Sequence, residues 1–326
     1  MSYPSFIQFY PTLRCNQSCH FCFNQTITRA APYQDMNMKE AFALCNVAKN
    51  MGTSEIDILG GEPMLIPWIK DFIAYALGTG FSINISTNGS LPGIVSELAA
   101  IDTRDLTIGF SILGFEKTHN RLTMSDNFLK ALEGIKTVQA SGKDAVVKSA
   151  LTKENFHEIH DLVLYLSALG IKKYFLLYED LVGRKEQMSF FSFPQFWQFY
   201  TNLKSITAGV IEIDFVAASG FCMPKTNLPG RCNAGLTKIA VMPDGSAFPC
   251  NLFAGFNDFY LGNILRDNIE DIWGNEILHF FRDADHKNMC KKNECIHYLT
   301  CRGGCPAHSY FIHGTLDRID PRCDAL

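Results

Sequence analysis

The chain carries the stretch RCNQSCHFCF at residues 14–23, in which Cys15, Cys19 and Cys22 are spaced as C-x-x-x-C-x-x-C. Three thiolates on one short loop can bind three irons of a [4Fe–4S] cluster, which is usually held by four cysteines. No fourth cysteine lies nearby in the sequence, so one iron would stay open to a ligand other than the protein. The spacing therefore predicts a catalytic iron–sulfur centre. The alternative interpretation is a zinc loop or unrelated core cysteines.

Composition and charge limit the class of protein. The 326 residues include 12 cysteines, and the N-terminus lacks the charged, apolar and small-residue regions of a signal peptide. Cysteines of a chain that is not secreted are metal ligands or catalytic groups more often than disulfides. No uninterrupted apolar run is long enough to cross a bilayer, and the net charge of -4 gives no reason to expect nucleic-acid binding. We therefore expect a cytoplasmic redox protein with no membrane and no nucleic acid as partner.

Short β-rich runs alternate with amphipathic helical runs through the first half of the chain. Strands are predicted near residues 6–10, 55–59, 81–86, 106–111, 145–151 and 171–178. Helical patterns lie between them, near residues 38–51, 67–77, 92–100, 127–140 and 155–169. This alternation predicts parallel βαβ units, and six of them fit a partial barrel as well as an open sheet. The aromatic run at residues 190–200 is predicted to be a buried bridging helix, or alternatively a wall of a substrate pocket.

Glycine and polar residues follow the ends of three predicted strands. GGEP at residues 60–63 follows the second strand, STNG at residues 86–89 ends the third, and Ser111 ends the fourth. The carboxyl ends of parallel strands form the edge where ligands bind, and glycine lets a backbone approach a ligand closely. Taken alone, the first two stretches are ordinary turns.

The cysteine triad followed by GGEP resembles the radical S-adenosylmethionine (SAM) superfamily, in which the amino and carboxylate groups of SAM bind the open iron. The resemblance implies an α/β fold with a partial (β/α)6 TIM-like barrel, and an enzyme that reductively cleaves SAM to a 5′-deoxyadenosyl radical, which abstracts a substrate hydrogen. The implied SAM contacts are Gly60, Gly61, Glu62, Pro63, Ser86, Asn88, Ser111 and Arg121.

The SAM contact at Arg121 has an alternative interpretation, and the sequence after the fourth strand departs from the family pattern. His119-Asn120-Arg121 resembles the family's His-Asp-x-x-Arg stretch, so Arg121 would bind the SAM carboxylate through two hydrogen bonds. The alternative is a solvated surface arginine. Relatives usually have Ser-x-Asp-Gly after the fourth strand, whereas residues 111–114 of this chain are SILG, which puts the contact made by the missing Asp in doubt.

Eight cysteines lie in the C-terminal third, where residues 239–250 also predict a β-hairpin with an Asp-Gly turn. This array resembles the SPASM domain of radical SAM enzymes, which implies two auxiliary [4Fe–4S] clusters and three clusters in all. The implied ligands are Cys222, Cys232, Cys250 and Cys305 for the first auxiliary cluster, and Cys290, Cys295, Cys301 and Cys323 for the second. The x4 spacing of Cys290 and Cys295, where x2 is usual, suggests a longer loop. Alternatives are a pair of zinc ribbons and, for Cys222, a hydrogen-atom donor.

The resemblance also predicts domains, function and partners. The barrel would span residues 1–185, a bridging segment 186–221, and a small cysteine-rich α+β SPASM domain 222–326. The predicted function is anaerobic modification of a peptide or protein side chain, in peptide-product biosynthesis or enzyme maturation. Alternatives are small-molecule or tetrapyrrole side-chain modification, such as oxidative decarboxylation, and non-catalytic electron transfer.

Expected partners are a peptide or protein substrate and a flavodoxin- or ferredoxin-type electron donor. The chain begins a few residues before its first strand, so peptide recognition would use the barrel, the SPASM domain or a separate protein. Tyr178, Glu179 and Asp180 end the sixth strand, where they could handle a proton or simply form a polar strand end. The sequence does not name a catalytic acid or base. Cys45, inside a helix, is predicted to be a buried small hydrophobe.

Overall fold

The computed structural model describes residues 3–24, 34–182, 190–216, 232–282 and 303–323. Ten strands are found there: β1 Phe6–Phe9, β2 Glu55–Ile58, β3 Ser82–Thr87, β4 Leu106–Ser111, β5 Ala145–Leu151, β6 Lys173–Tyr178, β7 Glu212–Val216, β8 Lys238–Val241, β9 Ser246–Phe248 and β10 Gly262–Asn263. The α-helices are α1 Met38–Asn50, α2 Ile69–Gly78, α3 Pro92–Ala99, α4 Glu116–Thr123, α5 Phe128–Ala140, α6 Phe156–Ala168, α7 Phe193–Ile206, α8 Ile269–Gly274, α9 Ile277–Arg282 and α10 Pro306–His313.

All ten strands form one sheet in the order β10-β9-β8-β1-β2-β3-β4-β5-β6-β7. The pairs from β8 through β1 to β7 are parallel, and β9 and β10 are antiparallel additions at one edge. Because β1 to β7 are neighbours in chain order, right-handed crossovers place their connecting helices on the same face. The predicted α/β fold class with a largely parallel sheet is confirmed.

The two faces of the sheet differ in burial. On the helix-covered face, Ile7, Ile56 and Ile85 are fully buried and belong to the main apolar core. Each such side chain contributes about 1.5–3 kcal/mol by leaving water. On the opposite face the alternating residues are half-buried and include Gln8, Asp57, Ser86 and Lys148. We call this the open face. It is polar and accessible, as a ligand-binding surface requires.

The six predicted strands are found within two residues of the predicted bounds. The predicted hairpin is also found as β8 and β9, with Gly245 in the turn at a φ of +84°. Six of these strands and α-helices were not predicted. They are α4, whose sequence EKTHNRLT is mostly polar, β7, which follows the aromatic helix α7, and β10, α8, α9 and α10 in the C-terminal part. No helix of the described ranges is long and apolar enough to span a bilayer.

The C-terminal part of the chain shares the sheet with the N-terminal strand, because β8 pairs in parallel with β1. Both predicted domain boundaries, near residues 185 and 221, lie outside the described residues and stay predictions.

Candidate active site and metal centres

Residues 11–24, which we call the cysteine loop, follow β1 and lie on the glycine pair after β2. The amide of Gly61 donates to the Thr12 carbonyl at 3.1 Å, and the amide of Glu62 donates to the Arg14 carbonyl at 2.8 Å. A Cβ on Gly61 would lie 2.1 Å from the Arg14 oxygen, and one on Gly60 would lie 2.5 Å from the Thr12 oxygen. These separations are too short for any side chain. The glycines are therefore required for the cysteine loop to lie where it does.

The other side of the cysteine loop is held by the end of α4. The amides of Ser18 and His20 donate to the carbonyls of Thr123 and Leu122, at 3.2 and 3.3 Å. The Gln17 amide group donates to Ser125 Oγ at 3.0 Å. The loop is thus fixed on both sides, mainly through its backbone.

The three thiols of the cysteine loop influence one another. Cys15 is exposed, and Cys19 and Cys22 are half-buried. Burial raises the pKa of Cys19 to about 12, and the nearby Cys22 and Cys15 thiolates add to the rise. Binding of iron removes this penalty, because the metal compensates the thiolate charges. Three mutually close thiols, one of them facing solvent, fit a cluster that is open to a further ligand. Within the described ranges no three His, Cys, Asp or Glu side chains already form a ligand set for a single ion.

Glu62 of the GGEP stretch is buried and joins the ends of β2 and β3. Its carboxylate accepts hydrogen bonds from Thr87 Oγ1 at 2.9 Å, the Met64 amide at 3.0 Å and the Asn88 amide at 2.7 Å. Burial raises the pKa of Glu62 to about 7, while these hydrogen bonds oppose the rise. Its observed role is structural, and its contact with SAM stays a prediction.

Asn88, Ser86 and Ser111 lie around the same edge of the sheet. Asn88 Nδ2 donates to Asn16 Oδ1 at 2.9 Å and lies 4.0 Å from Cys15 Sγ, so this residue adjoins the cysteine loop. Ser86 Oγ accepts from Lys148 Nζ at 2.7 Å. Ser111 pairs with Lys148 in the β4–β5 register. Lys148 was not predicted as a site residue, although a lone charge in the apolar strand AVVKSAL was a signal.

The His119-Asn120-Arg121 run consists of two residues that hold the local backbone, the buried His119 and the half-buried Asn120, and one exposed charge. His119 Nδ1 accepts from the Leu113 amide at 3.1 Å, and burial lowers the pKa of His119 to about 4. Asn120 Oδ1 accepts the amides of Asn127 and Phe128 and so caps α5. The Arg121 side chain is 49% exposed and forms an ion pair with Glu154. Of these three residues, Arg121 is the most exposed.

Three C-terminal cysteines, Cys232, Cys250 and Cys305, are 3–9% exposed and form what we call the buried cysteine site. The charges of all three cysteines raise the pKa of Lys238 on β8. Burial lowers the pKa of Lys238, but the thiolates of Cys250, Cys232 and Cys305 raise it above the usual value overall. Three of the four cysteines predicted for the first auxiliary cluster therefore lie within electrostatic range of one ammonium group. Buried cysteines near a cation fit the ligands of an iron–sulfur cluster.

The buried cysteine site also adjoins the strand that leads into the cysteine loop. Burial raises the pKa of Tyr10, which follows β1, and the nearby Cys250 and Asp57 charges add to the rise. Cys323 is half-buried, and Cys45 is buried as predicted. The remaining predicted ligands, Cys222, Cys290, Cys295 and Cys301, lie outside the described residues.

Comparison with known proteins yields two family matches and several full-length relatives. The model of the radical SAM superfamily matches residues 9–166, and that of the SPASM iron–sulfur cluster-binding domain matches residues 232–296. Mycofactocin maturase MftC of Mycolicibacterium smegmatis is 24% identical over 330 residues, covering 96% of this chain and 80% of that protein. AdoMet-dependent heme synthase of Methanosarcina barkeri is 23% identical over 345 residues, covering 98% of this chain and 96% of that protein.

Solved structures show the same fold. Streptococcus suis SuiB bound to S-adenosylmethionine superposes with a TM-score of 0.81 at 21% identity, covering 99% of this chain and 78% of that one. SuiB bound to its precursor peptide SuiA gives a TM-score of 0.79 at 20% identity, with 99% and 76% covered. The two matched family ranges contain the cysteine triad and four of the eight C-terminal cysteines.

Proposed function

Since this chain belongs to the radical SAM superfamily and carries a SPASM domain, we propose that it is an enzyme that modifies a peptide or protein side chain by radical chemistry. Its cofactors are [4Fe–4S] clusters and SAM. The observation that carries the proposal is the position of the cysteine loop, at the edge of the sheet beside the accessible open face. The relatives support a peptide as substrate, because one is a maturase and another was solved with a precursor peptide.

We assign Cys15, Cys19 and Cys22 to the cluster that binds SAM. When bound, this cluster and SAM supply the radical that removes a hydrogen atom from the substrate. The chain itself fixes where that happens. Gly60 and Gly61 let the cysteine loop lie on the sheet edge, and the predicted SAM contacts extend from there along the strand ends. These contacts are Gly60, Gly61, Glu62, Pro63, Ser86, Asn88, Ser111 and Arg121.

We assign Cys232, Cys250 and Cys305, with Cys222 as fourth ligand, to a first auxiliary cluster. Cys290, Cys295, Cys301 and Cys323 would bind a second, within a domain that spans residues 222–326. A cluster with four protein ligands has no open iron, so its role would be to pass electrons. An external flavodoxin- or ferredoxin-type protein would reduce the N-terminal cluster, a separate protein could present the peptide, and the proposed location is the cytoplasm.

A second candidate function is the modification of a tetrapyrrole side chain. It is favoured by one observation, the alignment with AdoMet-dependent heme synthase over nearly the whole length of both proteins. The two candidates differ in substrate and share the N-terminal chemistry, so only a test with substrates separates them.

The test uses anaerobically reconstituted protein reduced in the presence of SAM. We expect about twelve irons and twelve sulfides per chain, the content of three cubes, and formation of 5′-deoxyadenosine. A precursor peptide encoded beside the gene should then change in mass, as mass spectrometry would detect, whereas an iron porphyrin should stay unchanged. Modification of the porphyrin instead would favour the second candidate. Absence of SAM cleavage would reject both candidates.

A further inference from the structure

A buried group of charged side chains lies near the C-terminus of the described chain. Asp320, Arg322 and His308 are at most 1% exposed. The Asp320 carboxylate accepts from Arg322 Nε at 3.0 Å and from Arg322 Nη2 at 2.8 Å, a two-pronged ion pair. His308 Nδ1 lies 3.4 Å from Asp320 Oδ2. Charges buried in this way interact strongly, because little water screens them.

Asp320 reaches the buried cysteine site directly. Its Oδ2 accepts from the amide of Cys305 at 2.9 Å, and its backbone carbonyl accepts from the amide of Cys323 at 2.9 Å. Gly304 makes the first contact possible. A Cβ on Gly304 would lie 2.2 Å from the Asp320 Cβ, and its φ of +82° already favours glycine. The chain is therefore shaped locally so that a carboxylate lies against the backbone of a cysteine.

The other end of the group is anchored to the carboxyl end of β6. Arg322 Nη1 donates to the Glu179 carbonyl at 3.0 Å, and the guanidinium carbon lies 4.3 Å from the centre of the Tyr178 ring. His308 Nε2 lies 3.1 Å from the Asp180 carboxylate. The position of Asp320 and Arg322 relative to Cys305 is thus fixed by the sheet itself.

We propose that Asp320 and Arg322 are positioning residues that set the reduction potential of the auxiliary cluster bound at the buried cysteine site. The proposal rests on the assignment of Cys232, Cys250 and Cys305 as cluster ligands. Hydrogen bonds and nearby charges tune the potentials of iron–sulfur clusters. Reduction adds negative charge to the cluster, so a nearby carboxylate opposes it and a guanidinium favours it. The two residues therefore act with opposite sign.

The test measures midpoint potentials by redox titration of the holoenzyme, followed by electron paramagnetic resonance. Asp320→Asn keeps the shape and removes the negative charge, so we expect the auxiliary potential to rise. Arg322→Gln removes the positive charge, so we expect the potential to fall. SAM cleavage by the N-terminal cluster should continue in both variants. Two matched controls carry the same changes at exposed positions elsewhere in the C-terminal part. They are Asp258→Asn, whose carboxylate accepts from the Tyr310 hydroxyl at 2.6 Å, and Arg318→Gln.

The results separate a tuning role from a purely structural one. If the group only fastens the C-terminal part to the sheet, both variants should lower the melting temperature and leave the potential unchanged, and that outcome overturns the proposal. Shifts of the same sign overturn it as well. Arg322→Lys keeps the positive charge and replaces Arg322→Gln as the test if a neutral variant does not fold. The reduction potential of this variant is expected to stay near that of the wild type. A clear shift would contradict the charge argument.

Failure of the cluster assignment would look different from failure of this inference. If the wild-type protein gave no auxiliary signals, or lost none of them when Cys232, Cys250 and Cys305 were all changed to Ala, the assignment and the inference would both be wrong. An auxiliary signal that depends on those cysteines but ignores Asp320→Asn and Arg322→Gln overturns the inference alone.

Discussion

The two cysteine sites of this chain are supported in opposite ways. The cysteine loop has an exposed Cys15 and is held by backbone hydrogen bonds to Gly61, Glu62 and the end of α4. The buried cysteine site has thiols that are 3–9% exposed and lies near charged side chains, namely Lys238 and the Asp320–Arg322 pair. The cysteine loop depends on close contacts between backbone segments, whereas the buried cysteine site depends on buried charges.

This difference matches two different tasks. A centre that must bind SAM needs an accessible side, and in the cysteine loop Cys15 is exposed. A centre that only passes electrons gains from burial, because charges in a dry environment act strongly on its potential. Changes to the backbone should therefore damage the first site, and changes of charge should affect the second.

The largest effect is expected from removing the N-terminal ligands. Changing Cys15, Cys19 and Cys22 together to Ala should remove one cluster, about four irons per chain, and abolish SAM cleavage. The buried site should keep its iron, because it shares no ligand with the loop. Iron analysis and chromatography of 5′-deoxyadenosine measure both results. Continued SAM cleavage by this variant would disprove the assignment of the triad.

A single methyl group at Gly61 is expected to have the next largest effect. In Gly61→Ala the new Cβ must move away from the Arg14 carbonyl, which lies 2.1 Å from its ideal position, so the cysteine loop shifts. A misplacement of about 1 Å in a catalytic site costs roughly a hundredfold in rate. Gly78→Ala at the end of α2 is the control, since a Cβ there meets no atom within 4 Å. Equal rates of SAM cleavage in the two variants would show that the loop does not depend on this contact.

The sequence predicted the backbone-supported site better than the charge-supported one, for a physical reason. The triad and GGEP are local patterns, and alternation of apolar residues predicted the strands that bring them together. The sequence could not predict that a side chain on Gly61 would clash with Arg14, because the two residues are far apart in the chain. Asp320 and Arg322 were missed for the same reason: their partners include Glu179, more than a hundred residues away, and no spacing rule connects them.

A pH effect of about 3 kcal/mol is expected from His119, whose helix α4 supports the cysteine loop. Its pKa is lowered by burial from 6.5 to about 4, so the unfolded chain takes up a proton at a pH where the folded chain does not. Stability is then fully present above about pH 6.5 and is lost as the pH falls towards about 4, at about 1.4 kcal/mol per pH unit.

The variant His119→Gln isolates this contribution. Glutamine can still accept the Leu113 amide but does not titrate, so the difference in unfolding free energy between wild type and variant should shrink as the pH falls below about 6.5. Chemical denaturation of both proteins at several pH values measures it. A difference that stays constant with pH would mean that His119 is protonated equally in the folded and unfolded chains.

The smallest effect is expected from Arg121, at the accessible side of α4. Arg121→Ala should weaken SAM binding by loss of one charge-assisted contact, about 1.5–3 kcal/mol or roughly a tenfold to hundredfold rise in Kd. Its ion-pair partner provides the matched control, because Glu154→Ala removes the same exposed pair and leaves the guanidinium in place. Exposed pairs add little to stability, so both variants should fold like the wild type.

Equilibrium binding of SAM to the reconstituted protein then distinguishes the two roles of Arg121. If it binds the SAM carboxylate, only Arg121→Ala should lose affinity, and Glu154→Ala should bind SAM at least as tightly as the wild type. If Arg121 is only a surface charge, neither variant changes the Kd. The exposed site would then bind SAM through the strand ends and the cysteine loop alone.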